Sequence, residues 1–241
     1  MNPSEFRTGV IKPVEIYKEA WELIKPQYWL VFAIVIVGIL VGSVIPIILI
    51  GPAMCGIFMC LFCLTDGKPL KFEDLFKGFE YIWKSLPISL AIMVPVFVFL
   101  IVIYIPLIGV AVAGNKMSES ELLPFIAGVL VFELIAAIVM VSFHTLLLFA
   151  FPLVADRGLS GIDAIKLSIK AVWQNLAGMA GLLGVGMVIA MVSYLALCIG
   201  VYFAMPIIIM GQAVAYRKIF PALPGAPFDP PAPSSYQGVS N

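Results

Sequence analysis

Charged side chains are scarce in this 241-residue chain. Asp, Glu, Lys and Arg supply 12% of it, about half of the ~25% usual in soluble domains. So few charges cannot coat a water-exposed surface. The charges present cancel, 14 basic against 14 acidic, which excludes the basic footprint of a nucleic-acid binder. Histidine is almost missing: His144 is the only one, so one chain cannot build a multi-histidine metal site. The cysteines form a single C-x-x-C, Cys60–Cys63, with no second such pair and with Cys198 remote. Alternating ten-residue segments of the β-barrel kind are absent. So are a phosphate-binding loop, a dinucleotide fingerprint, a zinc-protease motif and a nucleophile elbow. No catalytic residue and no cofactor is called for.

What the chain has in abundance is apolar sequence. Hydrophobic residues make up 62% and the mean hydropathy is +1.11. This is the composition of an all-α, polytopic membrane helix bundle. Residues 1–27 mix acidic and basic side chains and lack a small-residue cleavage site, so no signal peptide is expected. Four apolar runs follow, at Tyr28–Thr65, Leu86–Gly114, Leu122–Ala155 and Leu176–Tyr216. At 1.5 Å per residue the first and last would reach ~57 and ~61 Å as single helices, twice the ~30 Å of a bilayer core. Ser43 to Pro46 can break the first, and Cys198 to Gly200 the last. The middle runs suit single, tilted spans, which gives six crossings.

Charge distribution tests that count. Six spans put 13 of the 14 Lys and Arg residues on one side and leave only Lys116 on the other. Four spans would divide them equally. The positive-inside rule therefore favours six spans, with both termini cytoplasmic. The expected site is the cytoplasmic (inner) membrane.

Between the spans lie segments with a 3.6-residue period. In 161–176, Ile162, Ile165, Ile169, Val172, Trp173 and Leu176 share a stripe opposite Asp163, Lys166, Lys170 and Gln174. Ser160 can cap this helix, and Asp156-Arg157-Gly158 supplies the turn before it. In 72–86 the stripe is Phe72, Leu75, Phe76, Phe79, Ile82, Trp83 and Leu86. In 14–28 it is Val14, Tyr17, Trp21, Ile24 and Tyr28. Each segment precedes an outward span and carries a tryptophan, Trp21, Trp83 or Trp173, suited to the headgroup layer. Three interfacial amphipathic helices are expected on the cytoplasmic side, anchoring the bundle to lipid or to neighbouring helices. The chain then reads as three units of interfacial helix, outward span and return span.

The phrases "DLFKGF" (74–79) and "PLVADRGLSGIDAIKLSIKAVWQN" (152–175) resemble those of a broad group of bacterial integral membrane proteins. The group includes the membrane domain found beside glycerophosphoryl diester phosphodiesterases, and stand-alone relatives. The resemblance spans residues 10 to 220 and implies a multispan protein of the bacterial inner membrane. It carries over no catalytic residue, and no soluble segment is long enough for the phosphodiesterase domain itself.

Polar groups inside the spans are few. Glu133 and His144 sit 11 residues apart in one span, three helical turns plus about 20°, so they share a face at ~16 Å axial separation. That face is either a proton or substrate path or a pair of hydrogen-bonding groups joining helices. Cys55, Cys60 and Cys63, with Met54 and Met59, offer soft metal ligands or act as small apolar residues. Gly38–Gly42, Ala177–Gly181 and Ala180–Gly184 allow close helix approach, within the bundle or against another subunit. Residues 1–219 are read as one bundle and 220–241 as a Pro-rich tail, extended or disordered. The expected function is a non-enzymatic accessory or scaffold component that meets the lipid bilayer, and other membrane subunits through its spans or tail. The alternative is a transporter or lipid-handling protein using the Glu133/His144 face.

Overall fold

The computed structural model describes residues 6–113, 117–195 and 199–222. Ten α-helices follow one another, with no strand among the described residues. Helix α1 (Pro13–Ile24) runs through a 3-10 turn (Lys25–Gln27) into α2 (Tyr28–Val44), and α3 (Pro46–Thr65) returns. Helix α4 (Asp74–Lys77) and a second 3-10 turn (Gly78–Tyr81) lead into α5 (Ile82–Ala113). The return from α5 is split into α6 (Glu119–Leu146) and α7 (Ala150–Arg157). Helix α8 (Gly161–Gln174) precedes α9 (Leu176–Leu195) and α10 (Gly200–Ile219). The threefold order of short helix, long helix and returning helix is therefore present. Five helical stretches are long and apolar enough to cross a membrane. Helix α10 is not among them, because Gln212, Tyr216, Arg217 and Lys218 dilute its 20 residues.

The breaks have local causes. Pro46 opens α3 after Ile45, whose extended backbone (φ −134°, ψ 83°) ends α2. Pro152 lacks an N–H and crowds the carbonyl of Leu148 four residues earlier, and the chain turns at Leu147–Phe149. Ser168 of α8 stitches that break. Its hydroxyl donates to the Leu146 carbonyl at 2.7 Å and accepts from the Phe149 N–H at 3.1 Å. Helix α7 ends at Gly158 in the left-handed region (φ 62°), and Ser160 accepts from the Asp163 N–H to start α8. Both features match the sequence expectation.

The four charge-bearing segments meet at one end of the molecule. The Arg7 N–H bonds to the Ile219 carbonyl, Lys218 pairs with Glu19 at 2.7 Å, and Lys84 donates to the Gly158 carbonyl. Asn175 ties the N-terminal segment to the α8–α9 junction. It accepts from the Gly9 N–H and donates to the Arg7 carbonyl. Close approach elsewhere depends on glycine. A Cβ on Gly78 would strike the Pro52 carbonyl and the backbone of Gly56, so "DLFKGF" lies directly against α3. Gly38 and Gly42 serve the α2–α3 contact inside the bundle, where an added Cβ would meet Ile57 and Ile50. Gly181 lies against Pro13, whereas Gly184 faces open space.

In the helices that precede α2, α5 and α9 the expected apolar stripes are split between buried and exposed positions. In α8 the buried residues are Gly161, Ala164, Ser168, Ala171 and Val172, while Ile162, Ile169 and Trp173 are exposed. In α1, Ile16, Tyr17, Ala20 and Ile24 are buried, while Val14 and Trp21 face outward. At 72–86 the buried residues are Leu75, Gly78 and Ser85, with Phe76 and Trp83 exposed. In α8 mostly small residues meet the bundle and large apolar ones face away, whereas α1 buries Ile16, Tyr17 and Ile24 and the 72–86 segment buries Leu75. The packed chain also runs past residue 219: Phe220 is fully buried beside Phe6, Phe149 and Tyr216.

Candidate functional site

Two polar constellations stand out, and helix ends build the first. The return helices α3, α7 and α10 finish close together, each with a charged residue in or just after its last turn. Arg217 of α10 spreads its guanidinium between two carboxylates. Its Nε and Nη2 donate to the two oxygens of Asp66 at 3.0 and 2.8 Å, and Nη1 donates to Asp156 at 2.6 Å. The Tyr216 hydroxyl donates to the other Asp156 oxygen at 2.7 Å. Arg157 lies 3.7 Å from Asp156, stacks over Phe220 and reaches the Pro221 carbonyl. The Arg217 cation also rests 4.2 Å from the centre of the Phe62 ring. The Asp156 side chain is 4% exposed and that of Arg217 13%. A planar fork suits this double bridging, which a lysine ammonium could not reproduce.

Of the loop motif singled out in the sequence, Asp156 and Arg157 belong to this clamp, and Gly158 gives the turn that places them. Asp66, Tyr216 and Arg217 were missed. A signal existed: Asp66-Gly67 repeats the Asp156-Arg157-Gly158 helix ending, and Gly67 is left-handed too (φ 68°). Each carboxylate oxygen in the clamp has a donor. The arrangement can therefore hold three helix ends together without a ligand.

Trp21, Trp83 and Trp173 are 45%, 79% and 66% exposed. Each belongs to a segment that ties into the charged end. Trp29, also exposed, joins Tyr28, Phe32 and Phe203 in an aromatic cluster that the sequence reading did not pick out.

The second constellation is on α6. Its better-covered positions, Leu122, Ile126, Val129, Glu133, Ala136, Met140 and His144, recur every three or four residues. That stripe packs chiefly on α5, and Glu133 and His144 share it as expected. Their surroundings differ. Glu133 is half-buried, and its carboxyl makes no hydrogen bond or ion pair among the described residues. His144 lines a groove of about 380 Å³ with Val96 and Phe99 of α5, Met140 and Thr145 of α6, and Leu183 of α9. Its Nδ1 lies 2.9 Å from the Met140 carbonyl oxygen, and its buried Nε2 has no partner. A larger groove of about 610 Å³ is lined by Val188, Met191, Val192, Tyr194, Leu195 and Val201 and is apolar apart from Tyr194.

Cys55, Cys60 and Cys63 are buried and unbridged. Cys55 and Cys60 approach the carbonyls of Phe151 and Lys71 at 3.8 Å. No cluster of three or more His, Cys, Asp or Glu able to hold a metal occurs among the described residues. Cys198 and residues 223–241 of the Pro-rich tail lie outside the described residues. Compared with protein-family models, curated proteins and solved structures, the chain matches none.

Proposed function

We propose that this chain is a non-enzymatic accessory subunit of the bacterial inner membrane, six-spanning with both termini cytoplasmic, that presents a helical hairpin to a larger membrane protein. The observation that carries this reading is the contrast between α3 and the α5–α6 hairpin. Of the most apolar 18-residue stretch, 72% is buried in α3, against 11% in the stretch containing α5 and none in that containing α6. The hairpin's flanks expose Ile101, Ile105, Leu134 and Ile138, and its seam holds the unpartnered Glu133. Lipid can cover the flanks. A half-buried carboxyl is better satisfied by a donor on a partner helix. The Arg217 clamp serves this role by fixing the three units from which the hairpin projects. The resemblance of "DLFKGF" and of 152–175 to bacterial multispan proteins agrees with the location.

The test is purification of the tagged chain in native lipid. A stoichiometric membrane protein should accompany it and be lost when Ile101, Ile105, Leu134 and Ile138 are replaced by alanine in a folded variant. A chain that purifies alone, or a partner indifferent to those substitutions, overturns the reading. Truncation after Pro221 keeps Phe220 in place and asks separately whether the tail contributes to that association.

The alternative is a transporter or lipid-handling protein. It draws support from the shared stripe of Glu133 and His144, and Glu133→Gln separates the two readings.

A further inference from the structure

The outward face of α8 is ordered around the helix in a way that selects what covers it. Ile162, Ile169 and Trp173 fall within an arc of about 40°, and all three are exposed. Exposed Lys166 and Lys170 border that arc on one side, and Asp163 and Gln174 lie beyond them. The opposite side, with Gly161, Ala164, Ser168 and Ala171, meets the bundle. Across the free face the order is therefore apolar side chains, then cations, then mixed polar groups. A bilayer surface presents the complementary order: acyl chains, then phosphates, then water.

The cations on this face are also unpaired. Lys166 and Lys170 have no carboxylate partner among the described residues, and Asp163 accepts from the Ser160 hydroxyl at the helix start. Lys170 rests 6.0 Å from the centre of the Phe6 ring. The next residue, exposed Arg7, is tied to the α8–α9 junction by its carbonyl, which accepts from Asn175. The other segments expected at the interface differ. Residues 14–28 and 72–86 each carry three acidic and two basic side chains, whereas 161–176 carries one and two. Lys25 and Lys77 find carboxylates inside their own segments, at Glu22 and Asp74. We infer that the outer face of α8, together with Arg7, binds anionic phospholipid at the membrane surface. Arg7, Lys166 and Lys170 meet headgroup phosphates, while Ile162, Ile169 and Trp173 enter the acyl region. The inference rests on the membrane setting of the chain and is independent of the hairpin docking proposed above.

Trp173 lies in the apolar arc and reports on it. The chain has four tryptophans, and the other three, Trp21, Trp29 and Trp83, are exposed and can be replaced by phenylalanine. The full chain is placed in phosphatidylcholine nanodiscs containing equal fractions of either phosphatidylglycerol or phosphatidylcholine brominated high on the acyl chains. Quenching of Trp173 should report an association about fivefold or more stronger for the phosphatidylglycerol, the factor that one basic residue contributes near an anionic surface. Arg7→Gln, Lys166→Gln and Lys170→Gln together should bring the two lipids level and leave quenching by the phosphatidylcholine unchanged. Equal quenching by both lipids before those three substitutions overturns the proposal, and so does a preference that survives them. Quenching by neither lipid places the face in water or under protein and overturns it too. Photoreactive forms of the two lipids repeat the comparison on the unaltered chain, where residues 162–173 should be labelled with the same preference, and equal labelling overturns the proposal.

Discussion

At the residue scale, what matters is how each polar group is satisfied. Arg217 donates to both oxygens of Asp66 and to Asp156, while Tyr216 takes the remaining Asp156 oxygen. Replacing Arg217 with leucine takes one of two neighbouring cations from the Asp156 carboxylate, whose side chain is 4% exposed, and leaves it Tyr216 and Arg157. Breaking a buried pair in this way costs roughly 3–5 kcal/mol. Arg217→Lys should recover only part, since an ammonium cannot span both carboxylates. Unfolding in detergent checks both variants, and a loss below about 1 kcal/mol for leucine would mean that the clamp is not structural. Glu133 poses the opposite case, a carboxyl with no partner. Glutamine matches a neutral carboxylic acid in shape and hydrogen bonding but cannot release a proton. The accessory reading expects Glu133→Gln to keep both stability and biological activity, measured by thermal unfolding and by complementation of a deletion strain. A stable but inactive variant would promote the transporter.

At the scale of elements, Ser168 shows how one helix depends on another. Its hydroxyl satisfies both the Leu146 carbonyl and the Phe149 N–H where α6 breaks from α7. Ser168→Ala should cost about 1–3 kcal/mol by orphaning those groups. Ile169→Ala, at a 37% exposed neighbour, should cost well under 1 kcal/mol. Comparable losses from the two would show that α8 packs through its large apolar face after all. That face marks where reading the sequence succeeds and where it stops. The break at Pro46, the turn at Gly158 and the cap at Ser160 were legible because proline, glycine and serine act on the backbone beside them. The seam shared by Glu133 and His144 was legible because helical period alone fixes it. The buried face of α8 was not, because the rule that large apolar residues turn inward assumes water outside. Lipid is as apolar as isoleucine, so close packing of small residues decides association, and Gly161, Ala164, Ser168 and Ala171 meet the bundle instead. Asp66 and Arg217 escaped notice because 151 positions separate them and no local pattern joins them.

At the scale of the whole molecule, the clamp and the topology constrain each other. Asp66, Asp156 and Arg217 bond directly, so the segment after α3, the segment after α7 and the end of α10 lie at one end. Lys218–Glu19 and Arg7–Ile219 bring the segment from Arg7 to Glu19 there as well. These four segments carry 13 of the 14 basic residues. The six-span proposal separates each from the next by an even number of crossings, and it requires α10 to cross although its composition is the least apolar of the long helices. In the topology proposed above this end is cytoplasmic, as the positive-inside rule expects. Gly161 is a poor reporter site, because a Cβ there would strike the Lys84 carbonyl. Exposed Lys166 on α8 and Ser120 at the start of α6 serve better. With Cys198 replaced by serine and Cys55, Cys60 and Cys63 buried, an impermeant maleimide should modify Ser120→Cys from the periplasm in intact cells. It should modify Lys166→Cys only after lysis. Labelling of Lys166→Cys in intact cells would place the clamp outside and invert the topology. Labelling of both would mean that α5 and α6–α7 do not traverse the bilayer as a pair of full crossings.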